Sequence, residues 1–134
     1  MMLEAPPSGH IDFDGDRCVV VHGDAAAANA LRVLAPRAGA ENGFVFVDPD
    51  GFVGDAAYDV GVALRDWCPQ LLASNHPSRL ARHYSEVLAR HSGLDAEAIW
   101  ERGFLERVST GLYALGMGAN DLSEPYFTSA EALA

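Results

Sequence analysis

The chain has 134 residues, 49% of them hydrophobic and 21% charged, a composition that suits one soluble globular domain and excludes a disordered chain. No stretch approaches the roughly 18 apolar residues of a membrane span; residues 1–9 hold neither a basic group nor an apolar run, so no secretory signal is expected and the expected location is cytoplasmic. The formal net charge of −10 argues against nucleic acid and anionic membrane as partners; it suits a cationic small molecule, and equally a solvated acidic surface that keeps the protein soluble.

Residues 3–17 are rich in Pro, Gly and Asp and read as an irregular lead-in. Cys18-Val19-Val20-Val21 is a β-branched run, expected to be a buried strand, that stops at His22-Gly23-Asp24. Ala25 to Ala28 suit a turn of helix, and Leu31-Arg32-Val33-Leu34 resumes an extended pattern. After the turn-rich stretch from Pro36 to Gly43, Phe44-Val45-Phe46-Val47 reads as a strand ending at Asp48-Pro49-Asp50-Gly51. A β-hairpin between two acidic loops is therefore expected. Val60, Leu64 and Trp67 then recur at helical spacing, predicting a helix from Ala57 to Trp67. A second helix begins near Pro77, carries Leu80, Tyr84, Val87 and Leu88 on one face, and ends at Gly93. Asp95 caps a third helix with Trp100, Phe104, Val108, Leu112 and Leu115 along one stripe. Residues 116–134 read as a partly ordered tail. The expected fold is α+β and mostly helical, with a short hairpin and about three main helices over residues 18–115. Cys18 and Cys68 lack the spacing of a zinc site and read as reduced thiols.

Three acidic loops carry the candidate chemistry: His22-Gly23-Asp24 with Asn29, Asp48-Pro49-Asp50-Gly51, and Gly54-Asp55 with Asp59. A hairpin returns the chain so that Asp48 approaches Asn29. That gathers carboxylate and amide oxygens, hard donors suited to Mg²⁺ completed by phosphate and water. Phosphoryl transfer asks little more: one carboxylate to accept the hydroxyl proton, with an Asn and a second Asp to position metal on the phosphates. The spacing from Asp24 to Asn29, followed by a strand and Asp48, meets that need. The Asp48 loop does not fit an EF-hand, because Phe52 and Val53 occupy positions its ligands would need. His76, His83 and His91 read as surface or cap residues and not as ligands.

His22-Gly23-Asp24-Ala25-Ala26-Ala27-Ala28-Asn29 resembles the HGDxxxxN loop of the aminoglycoside phosphotransferases, a protein-kinase-like family. Phe46-Val47-Asp48-Pro49 resembles that family's metal-binding strand end. The run from Val47 through Gly54-Asp55-Ala56-Ala57-Tyr58-Asp59-Val60 to Leu64-Arg65 is similar to the streptomycin/hydroxyurea kinase branch. The likeness spans roughly Val19 to Leu115 and implies the C-terminal lobe of the kinase-like fold. It implies Asp24 as the catalytic base, Asn29 and Asp48 as magnesium ligands, and His22 as loop support. Asp59 would brace the catalytic loop through backbone N–H groups, and Asp55 is a candidate for either substrate contact or structural support. The implied activity is transfer of the ATP γ-phosphoryl group to a small-molecule alcohol, a cationic aminoglycoside included, as in antibiotic-modifying enzymes. Two departures stand out. Four alanines follow Asp24, with Ala26 where the family commonly has histidine. All nine basic residues are arginine, so the nucleotide-anchoring lysine is absent, and the glycine-rich phosphate loop is absent too. About twenty residues precede Asp24, fewer than a nucleotide lobe requires, so that lobe is expected from upstream residues or from a second chain. The alternatives are a non-catalytic lobe that self-associates through the surface its partner lobe would cover, and an unrelated divalent-metal module using the same aspartates.

Overall fold

The computed structural model describes residues 15–134, and the lead-in over residues 3–14 lies outside the described residues. After a single 3-10 turn at Gly15–Arg17 come strand β1 (Val19–Val21), a 3-10 turn at Ala27–Asn29, and strands β2 (Ala30–Arg32), β3 (Phe44–Phe46) and β4 (Phe52–Gly54). Helices α1 (Ala57–Arg65), α2 (Cys68–Ala73), α3 (Pro77–Ser92), α4 (Ala96–Gly116) and α5 (Asn120–Leu133) follow. The described residues thus form a mostly helical α+β unit, and the expectation of about three main helices gives way to five.

The strands pair as nested antiparallel ladders. The expected hairpin joins β2 to β3, with Leu31 opposite Val45. Outside it lies a second ladder, unforeseen, in which β1 pairs β4 with Val20 opposite Val53. The reading of Cys18–Val21 as a buried strand is corrected: Val21 is buried, but Val20 is 80% exposed. Successive strand residues point to opposite faces, and the outer face of this two-stranded ladder is open, since Val53 opposite Val20 is also exposed.

Helix α1 stops at Arg65, two residues before the expected Trp67, because Pro69 starts a new helix and cannot continue the old one. The ends of α3 and α4 fall where expected. Gly93 takes the left-handed conformation at φ 75° that ends α3, and the Asp95 side chain accepts from Ala98 N at 3.1 Å to start α4. The tail is corrected to α5. Its Ser129, Ala130 and Leu133 are buried, and Leu133 closes a core cluster with Leu71 and Ala81 that Leu80, Trp100 and Phe104 flank.

The buried face of α4 also differs from the expected stripe. Ile99, Gly103, Arg107 and Gly111 are buried, whereas Leu112 and Leu115 are exposed. The helix is turned by one residue because its closest neighbours approach its glycines. A Cβ on Gly61 of α1 would lie 2.5 Å from Arg102 Cβ, and one on Gly103 would lie 2.8 Å from Leu64 Cβ. The α1–α4 contact is therefore backbone-close, and it fixes the end of α1 that carries the site. Arg107 adds to the joint: fully buried, it donates from Nη2 to Leu64 O, a carbonyl in the last turn of α1. Cys68 is buried and Cys18 is half-buried. Among the described residues no helix is long and apolar enough to cross a membrane.

Candidate active site

Strand β1 delivers the chain to His22-Gly23-Asp24, and α1 reaches all three residues, Asp59 at the first two and Arg65 at Asp24. Gly23 has φ 89°, and a Cβ on it would lie 2.7 Å from the Phe52 ring and 2.9 Å from Asp50 Cβ. Only glycine fits that turn. The carbonyl of His22 accepts from Asp50 N at 2.9 Å and Gly51 N at 3.1 Å, which lashes the second acidic loop against the first.

Asp59, in the first turn of α1, receives the other side of the turn. Its Oδ2 accepts from His22 N at 2.7 Å and its Oδ1 from Gly23 N at 2.8 Å. Two short charge-assisted bonds from adjacent amides hold the turn rigidly, and a carboxylate in a helix's first turn also suits the helix dipole. Asp55 sits just outside α1, where its Oδ1 accepts from Ala57 N at 2.9 Å. It starts the helix, and no bond links it to the Asp24 loop.

The His22 ring spans the gap between the acidic loops. Asp24 N donates to its Nδ1 at 3.2 Å, so Nε2 carries the proton that Val47 O receives at 2.9 Å. Val47 N in turn donates to Asn29 O at 2.9 Å. Asp48 directly follows Val47, which the His22 ring holds at its carbonyl and Asn29 O holds at its amide. Asp48 alone among the described non-glycine residues has positive φ, at 58°. That left-handed backbone costs on the order of 1 kcal/mol and turns the chain back towards His22.

Asn29 closes the loop. Its Nδ2 donates to Asp24 O and to Asp24 Oδ2, both at 2.9 Å. A carboxylate only accepts, so the amide nitrogen must face Asp24 and the amide oxygen faces away from it. The other carboxylate oxygen of Asp24, Oδ1, lies 3.0 Å from Arg65 Nη2. Asp24 is thereby bonded at both oxygens, yet its side chain is 40% exposed. Each oxygen keeps a second lone pair for a further proton. The four alanines after Asp24 split in their surroundings: Ala25 and Ala26 are buried and Ala27 and Ala28 exposed.

The structure brings together His22, Asp24, Asn29 and Asp59 by direct hydrogen bonds and places Asp48 beside them through the backbone of Val47. It sets Asp55 apart. Among the described residues no group of three or more His, Cys, Asp or Glu side chains is arranged to hold a metal ion. Asn29 and Asp48 offer one amide oxygen and one carboxylate, a set that suits a hard cation bound mainly through phosphate and water and not an all-protein cage.

Sequence reasoning missed Arg65 and its surroundings. Besides Asp24, the guanidinium meets Asp66 Oδ1 at 3.1 Å and Glu106 Oε2 at 3.9 Å. Burial acts most strongly on Arg65 and in the opposite sense, but the bonds with Asp24 and Asp66 outweigh it and hold the cation more firmly charged than usual. The Tyr58 hydroxyl bonds Glu106, and burial, followed by that neighbouring charge, raises the phenol above its ordinary 10.0. In the sequence Arg65 looks like an ordinary cation at a helix C-terminus, and six residues separate it from Asp59, a spacing that shares no helix face.

Comparison with protein-family models, with curated proteins and with solved structures found no match.

Proposed function

We propose that this chain is the catalytic half of a cytoplasmic small-molecule O-phosphotransferase of the aminoglycoside-kinase type, and that its fold corresponds to the C-terminal lobe of a protein-kinase-like enzyme. The observation that carries this reading is the Asp24 carboxylate, partly exposed and held at both oxygens by Asn29 and Arg65. A general base must present a basic atom at a fixed place to the hydroxyl it deprotonates. Asp24 does so from a loop tied to β1, α1 and the Asp48–Gly51 turn.

In this reading Asp24 accepts the proton of the acceptor alcohol as the alcohol oxygen attacks the γ-phosphorus of ATP; the bond from that phosphorus to the β–γ bridging oxygen breaks and ADP leaves. Asn29, through its amide oxygen, and Asp48 would hold Mg²⁺, which when bound neutralises charge on the transferring phosphoryl group. Asp59 and His22 keep the loop's shape and touch neither substrate. The acidic chain, at −10, favours a cationic acceptor such as an aminoglycoside. The chain has no lysine, so in this reading the anchor for the nucleotide phosphates is not one of its own side-chain amines.

The test uses the longest reading frame that contains the chain, incubated with Mg-ATP and streptomycin or a panel of amino-alcohols. Phosphorus NMR of the products should show a new phosphate monoester. ATP hydrolysis without a phosphorylated alcohol, or no transfer to any acceptor, would sink the reading.

A second reading, a non-catalytic lobe that self-associates, draws on the apolar strand surface, where Val20, Val53, Phe44 and Phe46 are 80%, 64%, 57% and 54% exposed. Sedimentation of the purified chain separates the two: a stable oligomer without phosphotransfer favours the second.

A further inference from the structure

Arg65 ends α1 with its guanidinium set among carboxylates from three places in the chain. Nη2 meets Asp24 on the catalytic loop at 3.0 Å, Nε meets Asp66 just past α1 at 3.1 Å, and Nη1 lies 3.9 Å from Glu106 on α4. Its side chain is 16% exposed, as is that of Glu106, so water screens that pair weakly. Glu106 is itself bonded by the Tyr58 hydroxyl from the first turn of α1.

We propose that Arg65 is a positioning residue for the phosphotransfer, fixing the plane of the Asp24 carboxylate in which the proton is received. The assignment rests on the reading of Asp24 as the base. The terminal torsion of an aspartate is broad and roughly two-fold, so one hydrogen bond does not orient it. Asn29 pins Oδ2 and Arg65 pins Oδ1, at 2.9 and 3.0 Å, and two fixed oxygens define a plane. Asp66 and Glu106 hold the guanidinium from its other nitrogens, so that Nη2 is presented to the loop and not to solvent. The loop is thereby referred to the α1–α4 joint, whose backbone-close contact at Gly61 and Gly103 leaves it little room to shift. A planar fork with several donors does this and a lysine ammonium does not.

The experiment measures transfer from Mg-ATP to the alcohol by the longest reading frame containing the chain, in Arg65→Ala and Arg65→Lys beside the unaltered protein. A misplaced base predicts that Arg65→Ala lowers kcat by about 10²-fold while KM for both substrates is unchanged. Guanidinium ion at non-denaturing millimolar concentration should restore part of the lost kcat. In the same variant, the side-chain amide protons of Asn29 should move in NMR spectra towards the position of a free amide. An unchanged kcat overturns the assignment, as does a loss that follows reduced Tm and is not restored by guanidinium. If Arg65→Ala does not fold, Arg65→Lys decides: about tenfold lower kcat at constant KM supports the role, and wild-type kcat overturns it. Failure of the unaltered protein to transfer phosphate refutes the reading of the site as a whole and takes the role of Arg65 with it; normal transfer by the Arg65 variants refutes Arg65 alone.

Discussion

Adding one methyl group at Gly61 tests how the helices hold the site. The new Cβ would lie 2.5 Å from Arg102 Cβ, 2.9 Å from Gly103 N and 3.0 Å from Arg102 C. Ordinary carbon contacts begin near ~3.5 Å, so α1 and α4 must part by about 1 Å. No rotamer change relieves this, because the obstructing atoms are backbone and a Cβ. Replacing glycine by alanine inside a helix gains about 0.5–1 kcal/mol, and overpacking costs roughly 1–3 kcal/mol or more. With the obstruction rigid, Gly61→Ala should be destabilised by about 2 kcal/mol net, or roughly 8 °C in Tm for a domain of this size. Urea and thermal unfolding followed by circular dichroism give both quantities. Gly116→Ala is the internal control: a Cβ there meets nothing within 4 Å, so propensity alone acts and stability should hold or rise. A Gly61→Ala protein as stable as Gly116→Ala would refute the close α1–α4 contact and the positioning built on it.

Asp48→Gly should raise stability by roughly 0.5 kcal/mol, because relief of the left-handed strain exceeds the larger unfolded-state entropy of glycine; the same change should abolish Mg²⁺-dependent transfer, and denaturation and kinetics on one preparation check both signs. Asp59→Ala removes the acceptor of the His22 and Gly23 amides, and should cost about 2–3 kcal/mol while accelerating hydrogen exchange at those two amides. Tyr58 has a raised pKa in the fold, so its stabilising contribution is full below the unfolded value near 10 and disappears as pH rises through the folded value. Tyr58→Phe should therefore flatten the alkaline fall of stability between pH 9 and 12 (about those limits,) seen in unfolding titrations of the unaltered protein, and an unchanged slope would contradict the burial of this phenol.

Much of the frame could be read from residues with one dominant job. Gly93 and Asp95 punctuate α3 and α4 because a left-handed cap and an N-cap are local devices. The β2–β3 hairpin was legible from its two strand runs and the turn-rich stretch between them, and the approach of Asp48 to Asn29 follows from that hairpin. Long-range and close-packed features were not. The β1–β4 ladder joins residues far apart in sequence around an inner hairpin, and Gly54 weakens its strand signal. The face of α4 was misjudged by one residue because glycines and a buried arginine line it, and hydrophobicity does not mark such a face. Helix α5 was missed because Pro125, Ser123 and Ser129 look like breakers, whereas Ser123 and Ser129 are small enough to pack and bond carbonyls within the helix. Arg65 was hidden for a related reason: its partners Asp24, Asp66 and Glu106 come from three segments that only the fold brings together.

The central claim is that Asp24 is the base. Its most direct test is the single-turnover rate of phosphoryl transfer to an alcohol from Mg-ATP, measured for the unaltered protein and for Asp24→Asn. The amide is nearly the same shape and can still bond Asn29, but it cannot take the proton. The rate should fall by about 10²–10⁴-fold, with ATP binding unaffected. A rate that Asp24→Asn leaves unchanged would contradict the account.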